Sequence, residues 1–157
     1  MKEQAVIHNT FVIERSYATT PERVFAAFSD PAKRRRWFAE GDHHEIEEFE
    51  MDFRTGGREH LVYRFRASTP FPGVALTNDA IYQEIVPNSR IVMSTGMTIG
   101  NKFVSASLLT FEFPETDKGT DMIFTHQGAF LEGSGGPEMR QGGWQTLFGK
   151  LAAEIGS

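Results

Sequence analysis

The sequence predicts an α+β fold in which a curved antiparallel sheet of seven strands packs against one long C-terminal helix. Apolar residues alternate with period two over most of the chain, and they change to intervals of three and four only in its last segment. Six of the strands follow one another without a helix between them, so neighbours joined by tight turns should pair antiparallel. Helices and strands are therefore segregated along the chain, which is typical of α+β proteins.

The first strand is predicted at residues 5–17, where apolar and polar side chains alternate. Two short helices are predicted directly after it, because two capping residues are each followed by a proline. Thr20 precedes Pro21 and Asp30 precedes Pro31. Proline suits the first position of a helix, where its missing N–H group costs nothing.

The other six strands are predicted in the long stretch that follows these helices. Short turn sequences such as Pro87-Asn88-Ser89 divide the stretch into segments of strand length. The predicted strands lie at residues 44–52, 57–67, 75–86, 90–98, 103–113 and 120–127.

The long helix is predicted in the segment RQGGWQTLFGKLAAEIG, Arg140 to Gly156. Its apolar residues recur at intervals of three and four, so they form one docking face. That face comprises Trp144, Leu147, Phe148, Leu151 and Ile155. The glycine-rich Gly133–Gly136 before it is predicted to be a flexible flap.

The composition restricts the classes of function. A chain of 157 residues is the size of one ordinary domain, so a single domain is expected over residues 1–157. The absence of cysteine excludes disulfides, thiolate metal sites and cysteine nucleophiles. The net charge is −5, and the only basic run, Lys33–Arg36, is predicted to be the solvated side of a short helix. We therefore expect no nucleic-acid partner.

The sequence also argues against a membrane or a metal. No apolar run approaches the roughly 20 residues of a spanning helix, and the N-terminal MKEQAVIHNTF has no signal-peptide stretch. We therefore expect a cytoplasmic protein without a membrane partner. The densest group of metal ligands is His43-His44 beside Glu45, but neighbours on a strand point to opposite faces. No metal and no cofactor are expected.

A series of motifs in the expected order resembles a known family. These are IERSY, ATTPERVFAAFSDPAKRRRWF, GGR, EIVPNSRIV, GTDMIFTHQG and GGWQTLFGKLAA, from about Phe11 to Ile155. Together they resemble the START-like (SRPBCC, helix-grip) superfamily, and within it the bacterial proteins similar to the C-terminal domain of the activator of the 90-kDa heat-shock protein ATPase. The resemblance implies a helix-grip fold with a cavity between sheet and C-terminal helix, which superfamily members use for hydrophobic ligands. A minority of relatives are cyclases or similar enzymes, but no catalytic motif carries over.

Glu59 is the carboxylate that the alternation places on the inner face of the sheet. It shares its parity with Leu61, Tyr63 and Phe65. The opposite face carries Arg58, His60, Arg64 and Arg66. A carboxylate facing an apolar space needs a cation or takes a raised pKa, and Arg15, on the inner parity of the first strand, is a candidate partner. Glu59 would then bind the polar head group of a ligand or act as a general acid/base. The alternative is that Glu59 forms a structural ion pair, and we favour this alternative.

His126 shares its parity with Met122 and Phe124, so it is also predicted to face inwards. A histidine with a near-neutral pKa suits proton transfer. A single histidine on an apolar face is more often a hydrogen-bonded structural residue, and we favour that interpretation.

The chain is rich in aromatic residues, with 14 Phe, 3 Tyr and 2 Trp. Such groups around a concave space suit a flat, largely apolar ligand. Tyr82 competes with its neighbour Ile81 for the inner face. The candidate ligand-binding residues are Trp37, Glu59, Tyr63, Tyr82, His126, Trp144, Leu147 and Phe148.

Three functions remain open on these observations. The first is the binding of a small hydrophobic or aromatic molecule between sheet and C-terminal helix, in a role such as stress response or secondary metabolism. The second is a cyclase- or hydrolase-like reaction in the same cavity, with Glu59 or His126 as acid/base. The third is a chaperone-related protein-interaction module. We favour the first, non-enzymatic hypothesis; an exposed edge strand would also permit a homodimer.

Overall fold

The structure, a computed structural model, describes residues 5–156 and confirms the predicted α+β architecture. Residues 1–4 and 157, which the sequence assigns to the same domain, lie outside the described residues. In chain order the elements are β1 (Ile7–Tyr17), α1 (Pro21–Ser29), α2 (Pro31–Arg34), a π-helical turn (Arg35–Ala39), β2 (His44–Met51), β3 (Arg58–Phe65), β4 (Ala75–Val86), β5 (Arg90–Ile99), β6 (Lys102–Glu112), β7 (Glu115–Thr116), β8 (Gly119–Phe130) and α3 (Gly136–Gly156).

The sheet is antiparallel throughout, with the strand order β1-β8-β6-β5-β4-β3-β2. Seven strands lie on this path, as predicted, and the two-residue β7 is an additional strand that pairs only with β8. Strand β1 pairs with β8 along its whole length, so that Phe11 lies opposite His126. The first and the last strand of the chain are therefore neighbours in the sheet.

The capping residues start α1 and α2 as predicted. The Thr20 hydroxyl accepts a hydrogen bond from the Arg23 N–H at 3.3 Å, and an Asp30 carboxylate oxygen accepts one from the Ala32 N–H at 2.9 Å. The sequence did not indicate that α2 continues into a π-helical turn. This wider turn buries the Trp37 and Phe38 side chains, which are 1% and 8% exposed.

Helix α3 begins at Gly136, one turn before the predicted start at Arg140. The flap prediction is therefore wrong for Gly136, which opens the helix. Gly133 and Gly135 do lie in the preceding loop, and both have positive φ angles, of 87° and 80°, that favour glycine. The earlier start places Arg140 inside the helix instead of at its end.

Aromatic rings fill the core between α3, the short helices and the sheet. Phe124 of β8 lies 4.7 Å from Phe111 of β6 and 4.7 Å from Trp144 of α3, measured between ring centroids. Phe148 lies 5.2 Å from Phe124. The sheet face under α3 is called the inner face below, and the opposite face is called the outer face.

The outer face of β2, β3 and β4 carries pairs of opposite charge. The alternation predicted the basic members of these pairs on this face, namely Arg58, His60, Arg64 and Arg66. Arg66 pairs with Glu45 at 3.0 Å. His60 bonds Asp79 at 2.6 Å through one ring nitrogen and Glu48 at 2.7 Å through the other. These two carboxylates raise the pKa of His60 above its ordinary value.

One stability prediction follows from the glycines of α3. A Cβ atom at Gly143 would meet nothing within 4 Å. Gly143→Ala should raise the free energy of unfolding by about 0.5–1 kcal/mol, because alanine loses less backbone entropy on folding. Urea denaturation at neutral pH measures the change. Gly128→Ala is the contrasting variant and should destabilise, since its Cβ would lie 2.8 Å from the His126 ring. A loss of stability in Gly143→Ala would contradict the prediction.

Candidate functional site

Glu59 belongs to a buried ion-pair cluster. Its two carboxylate oxygens accept hydrogen bonds from the Arg34 Nε and Nη2 atoms, each at 2.9 Å. The Tyr82 hydroxyl donates a third bond at 2.8 Å. Arg34 and Glu59 are only 1% and 2% exposed. Both oxygens of the carboxylate are thus engaged by the protein, which is the arrangement of a structural pair rather than of a free acid or base.

Two sequence predictions are wrong at this cluster. Arg15 is not the partner of Glu59, because its guanidinium donates to the Glu14 carbonyl at 2.8 Å. The basic run Lys33–Arg36 is not solvated throughout, because Arg34 turns into the core. Arg34 is the last residue of α2, directly before the π-helical turn that carries Trp37 and Phe38.

Aromatic rings enclose the Arg34 guanidinium. Its Cζ atom lies 3.8 Å from the ring centroid of Phe38 and 4.8 Å from that of Trp37, distances at which cation–π attraction operates. The Trp37 indole N–H donates to the Ala27 carbonyl at 2.7 Å. Burial, and then the Glu59 charge, raise the pKa of Tyr82, so its hydroxyl stays protonated.

A second group of polar residues lies on the inner face and is less completely packed. Directly opposed residues of an antiparallel sheet share a face, so the registers define two rows across it. The first row is Phe130, Ser105, Met97, Asn78 and Leu61. The second is Gly128, Ser107, Thr95, Ala80 and Glu59. We call these two rows the inner band.

The second row of the inner band is unusual in its small side chains. From Gly128 to Ala80 it contains nothing larger than threonine. Several band residues are also partly exposed although they belong to the face that α3 covers: Asn78, Thr95 and Met97. The inner face is therefore less completely covered at the inner band than in the aromatic core.

The band lies beneath the first half of α3. Arg140 reaches the Ser105 hydroxyl and the Met97 sulfur at 2.7 and 3.3 Å. One turn further along the helix, Trp144 packs on Phe124, which lies beyond His126 on β8. The second row of the band therefore falls between the contacts of Arg140 and those of Trp144.

His126 adjoins the band on the side of Trp144. Its ring is stacked on Phe11 at 4.6 Å and on Phe130 at 5.7 Å. It is fully buried, and neither ring nitrogen has a hydrogen-bond partner among residues 5–156. Burial, and then the charge of Arg140, lower its pKa from 6.5 to about 4. The imidazole is therefore neutral at pH 7, with one nitrogen able to donate and the other able to accept.

Arg140 is a site residue that the sequence analysis did not propose. It lies four residues before Trp144 and eight before Phe148, on the stripe by which α3 docks. Its Cζ atom lies 5.2 Å from the centroid of the Phe130 ring. A charged residue in register with an apolar stripe was the available signal. The predicted helix begins at Arg140, so the sequence places this residue at the helix terminus and not on the docking stripe.

The eight predicted ligand-binding residues do not form one site. Trp37, Tyr82 and Glu59 belong to the ion-pair cluster and its ring shell. Phe148, 1% exposed, packs between Phe124 and Trp37. Tyr63 and His126 lie in the rows of the sheet next to the inner band. Trp144 packs one row beyond His126, on Phe124, and Leu147 packs against the hydrophobic core.

Two grooves on the surface next to β2 have a different chemical character. Their volumes are about 580 and 390 Å³. The first is lined by both signs of charge, among them Arg35, Asp42 and Lys150. The second runs past Glu47 and Arg64, which pair with each other. Mixed-charge, open grooves do not suit a flat apolar ligand.

Within residues 5–156, no group of three or more histidine, aspartate or glutamate side chains is placed to hold a metal ion. His44 instead bonds the Ala39 carbonyl at 2.7 Å and stacks on Tyr63 at 3.8 Å. No helix in the same range is both long and apolar enough to span a membrane.

Comparison with known families identifies the chain. The model of the family described as "Activator of Hsp90 ATPase homolog 1-like protein" matches residues 18–156. The chain belongs to this family. The matched range includes the helical segment after β1, the strands from β2 to β8 and all of α3. The START-like resemblance of the sequence motifs is thus confirmed.

Solved structures of relatives share the fold of this family member. A protein from Rhizobium loti is 45% identical, with 96% of this chain and 99% of that chain covered and a TM-score of 0.83. A putative uncharacterized protein from Rhizobium leguminosarum is 36% identical, with 96% and 95% covered and a TM-score of 0.86. An AHSA1-like protein from Aeromonas hydrophila, at 18% identity and a TM-score of 0.67, covers 94% of this chain and 92% of its own and shows the fold alone. Among curated proteins, none matches the chain.

Proposed function

We propose that this protein binds a small, largely apolar molecule at the inner band, beneath the first half of α3. The observation that carries the proposal is a set of buried polar atoms without partners at that place. Among the described residues, neither the Ser107 hydroxyl nor either nitrogen of His126 has a hydrogen bond. Ser107 is 8% exposed and His126 is fully buried.

Buried polar groups in folded proteins are nearly always hydrogen-bonded, because leaving one without a partner costs about 1–3 kcal/mol. Ser107 belongs to the second row of the band, and His126 lies in the next row of the sheet. A ligand with one or two polar atoms would supply the missing bonds. Such polar points in an aromatic wall are the usual composition of a small-molecule site.

The shape of the region supports the same proposal. Arg140 and Trp144 of α3 contact the sheet on either side of the second row, and the small side chains of Ser107 and Thr95 form the floor. A flat molecule suits a space with a wide aromatic wall on one side and small side chains on the other. The engagement of Glu59 by Arg34 and Tyr82 favours binding over a reaction that uses this carboxylate.

Thr95→Leu should block the band and weaken ligand binding by about tenfold or more, which corresponds to about 1.4 kcal/mol. The longer side chain would occupy the floor of the proposed site. A suitable neutral, planar probe is 2-naphthamide, and its affinity is measured from amide chemical-shift changes in an NMR titration. In the unmodified protein, the shifts should concentrate at β5, β6, β8 and the first half of α3.

The matched control is Thr110→Leu, the same substitution on the outer face, where Thr110 pairs with Val92 and Thr125. It should leave probe binding unchanged. Native mass spectrometry of the protein purified from its own host would identify a bound molecule. If the probe shifts no amide near the band and no small molecule co-purifies, the proposed function is wrong.

A further inference from the structure

Arg140 is a partly buried cation, and none of the described residues supplies it with an anion. Within residues 5–156, no carboxylate lies within 4 Å of its guanidinium. Its polar contacts are the Ser105 hydroxyl at 2.7 Å and the Met97 sulfur at 3.3 Å. One neutral hydroxyl and one thioether leave most of its five N–H groups without a strong acceptor.

The other interior arginine has a different environment. Arg34 has a carboxylate on two of its nitrogen atoms, together with the Tyr82 hydroxyl on the same carboxylate. Removing a charge from water is costly unless a counter-charge meets it. Glu59 supplies that counter-charge to Arg34. Among residues 5–156, no carboxylate does so for Arg140.

The position of Arg140 relates it to the proposed ligand. Its guanidinium lies at the Phe130 end of the inner band, over Ser105 and Met97. The small side chains of the second row lie next to this end of the band. Trp144 lies one turn of α3 further on, over Phe124. A cation at one end of an otherwise apolar, aromatic space is complementary to a molecule with a flat body and one anionic end.

We propose that the ligand is an amphipathic acid, whose carboxylate is bound by the Arg140 guanidinium and whose planar apolar body lies on the inner band towards Trp144. This inference rests on the proposed function and names the class of molecule. The planar guanidinium donates two parallel bonds to a carboxylate, which a single ammonium group cannot do. The Ser105 hydroxyl, which accepts a bond from Arg140, keeps its own proton to donate to the second carboxylate oxygen.

The ionisation states agree with an anionic ligand. Burial lowers the pKa of Arg140 from its ordinary value, yet an arginine remains a cation at neutral pH. Burial raises the pKa of Tyr63 to about 12, against the opposing charge of Arg140. The Tyr63 hydroxyl, at the edge of the band, is therefore protonated at pH 7 and adds no negative charge that would compete with the ligand.

The test compares 2-naphthoate with 2-naphthamide, which share their ring system and differ in the charge of the head group. In the unmodified protein at pH 7, naphthoate should bind about 10- to 100-fold more tightly than the amide, the range expected for a charge-assisted bond. In Arg140→Gln the two probes should bind with about equal affinity, because naphthoate loses affinity whereas the affinity for the amide changes little. Arg140→Lys, which keeps the charge without the planar pair of donors, should give an intermediate preference.

The control is Lys102→Gln, which makes the same change in net charge at an exposed residue of β6. It should leave the preference for naphthoate intact. Equal binding of acid and amide by the unmodified protein would overturn the inference while leaving the proposed function standing. If neither probe binds, the inference is wrong, and if in addition no small molecule co-purifies, the proposed function is wrong as well. An unchanged preference in folded Arg140→Gln, with folding checked by its amide spectrum, would also overturn the assignment of Arg140.

Discussion

Glu59→Leu is expected to lower the free energy of unfolding by about 3–5 kcal/mol. The substitution leaves the Arg34 guanidinium 1% exposed and without its counter-charge. It also removes the acceptor of the Tyr82 hydroxyl. Arg34 keeps its cation–π contacts with Phe38 and Trp37, but these contribute much less than the desolvation of an unpaired charge costs. Urea denaturation followed by circular dichroism would measure the loss.

The double variant Arg34→Met, Glu59→Leu should recover most of that loss, because a buried ion pair replaced on both sides by apolar groups of similar size is often neutral. Glu45→Gln is the surface control. Glu45 pairs with Arg66 on the outer face, where both side chains are largely exposed, and its loss should cost less than about 1 kcal/mol. Equal losses in Glu59→Leu and in the double variant would show that the charge on Arg34 is not the cause.

His126→Phe is expected to make the protein more stable to acid, by about 2–3 kcal/mol at pH 4.5 relative to the unmodified chain. In the folded state the pKa of His126 is lowered from 6.5 to about 4, mainly by burial. The unfolded chain therefore takes up a proton as the pH falls below 6.5, and the folded chain does not until about pH 4. The full stability of the unmodified protein, as far as it depends on His126, is present above pH 6.5. It falls progressively as the pH drops from 6.5 to about 4. Phenylalanine removes the titration and continues the ring stack between Phe11 and Phe130.

Urea denaturation at pH 7 and at pH 4.5, for both proteins, measures the effect. His60→Gln is the control with the opposite sign. Glu48 and Asp79 raise the pKa of His60, so its contribution is present below pH 6.5 and is lost as the pH rises through the folded-state pKa. This variant should therefore lose more stability at pH 5 than at pH 8. If His126→Phe and the unmodified protein lose stability in parallel between pH 7 and pH 4.5, His126 does not control the acid response.

The inner and outer faces of the sheet were predictable from alternation alone. The period-two pattern placed Glu59 and His126 inwards and His60 outwards, because each of their strands has one buried face. Tyr82 was ambiguous for a local reason. The register shifts between Tyr82 and Glu84, so alternation does not carry through that point of β4.

The partners of the inward charges could not be predicted from the same pattern. Arg34 is one of four consecutive basic residues, and nothing in the sequence pattern indicates which of them turns into the core. Arg140 depends on where α3 begins, and helix boundaries are the least certain part of a sequence pattern. Arg34 lies next to a π-helical turn, and Arg140 lies near the start of α3. Periodicity predicts the faces of regular elements but not the side-chain positions at such places.

The pairing of Phe11 with His126 also has a consequence for the order of events in folding. The back of the candidate site is built from β1 and β8, which come from opposite ends of the chain and meet only in the finished sheet. Closing so long a loop carries a large entropy cost, and contacts between distant residues slow folding. In a chain still emerging from the ribosome, the candidate site is incomplete until β8 has been synthesised. A ligand of the inner band would therefore bind only the completed fold. By mass action it would stabilise the pairing of β1 with β8.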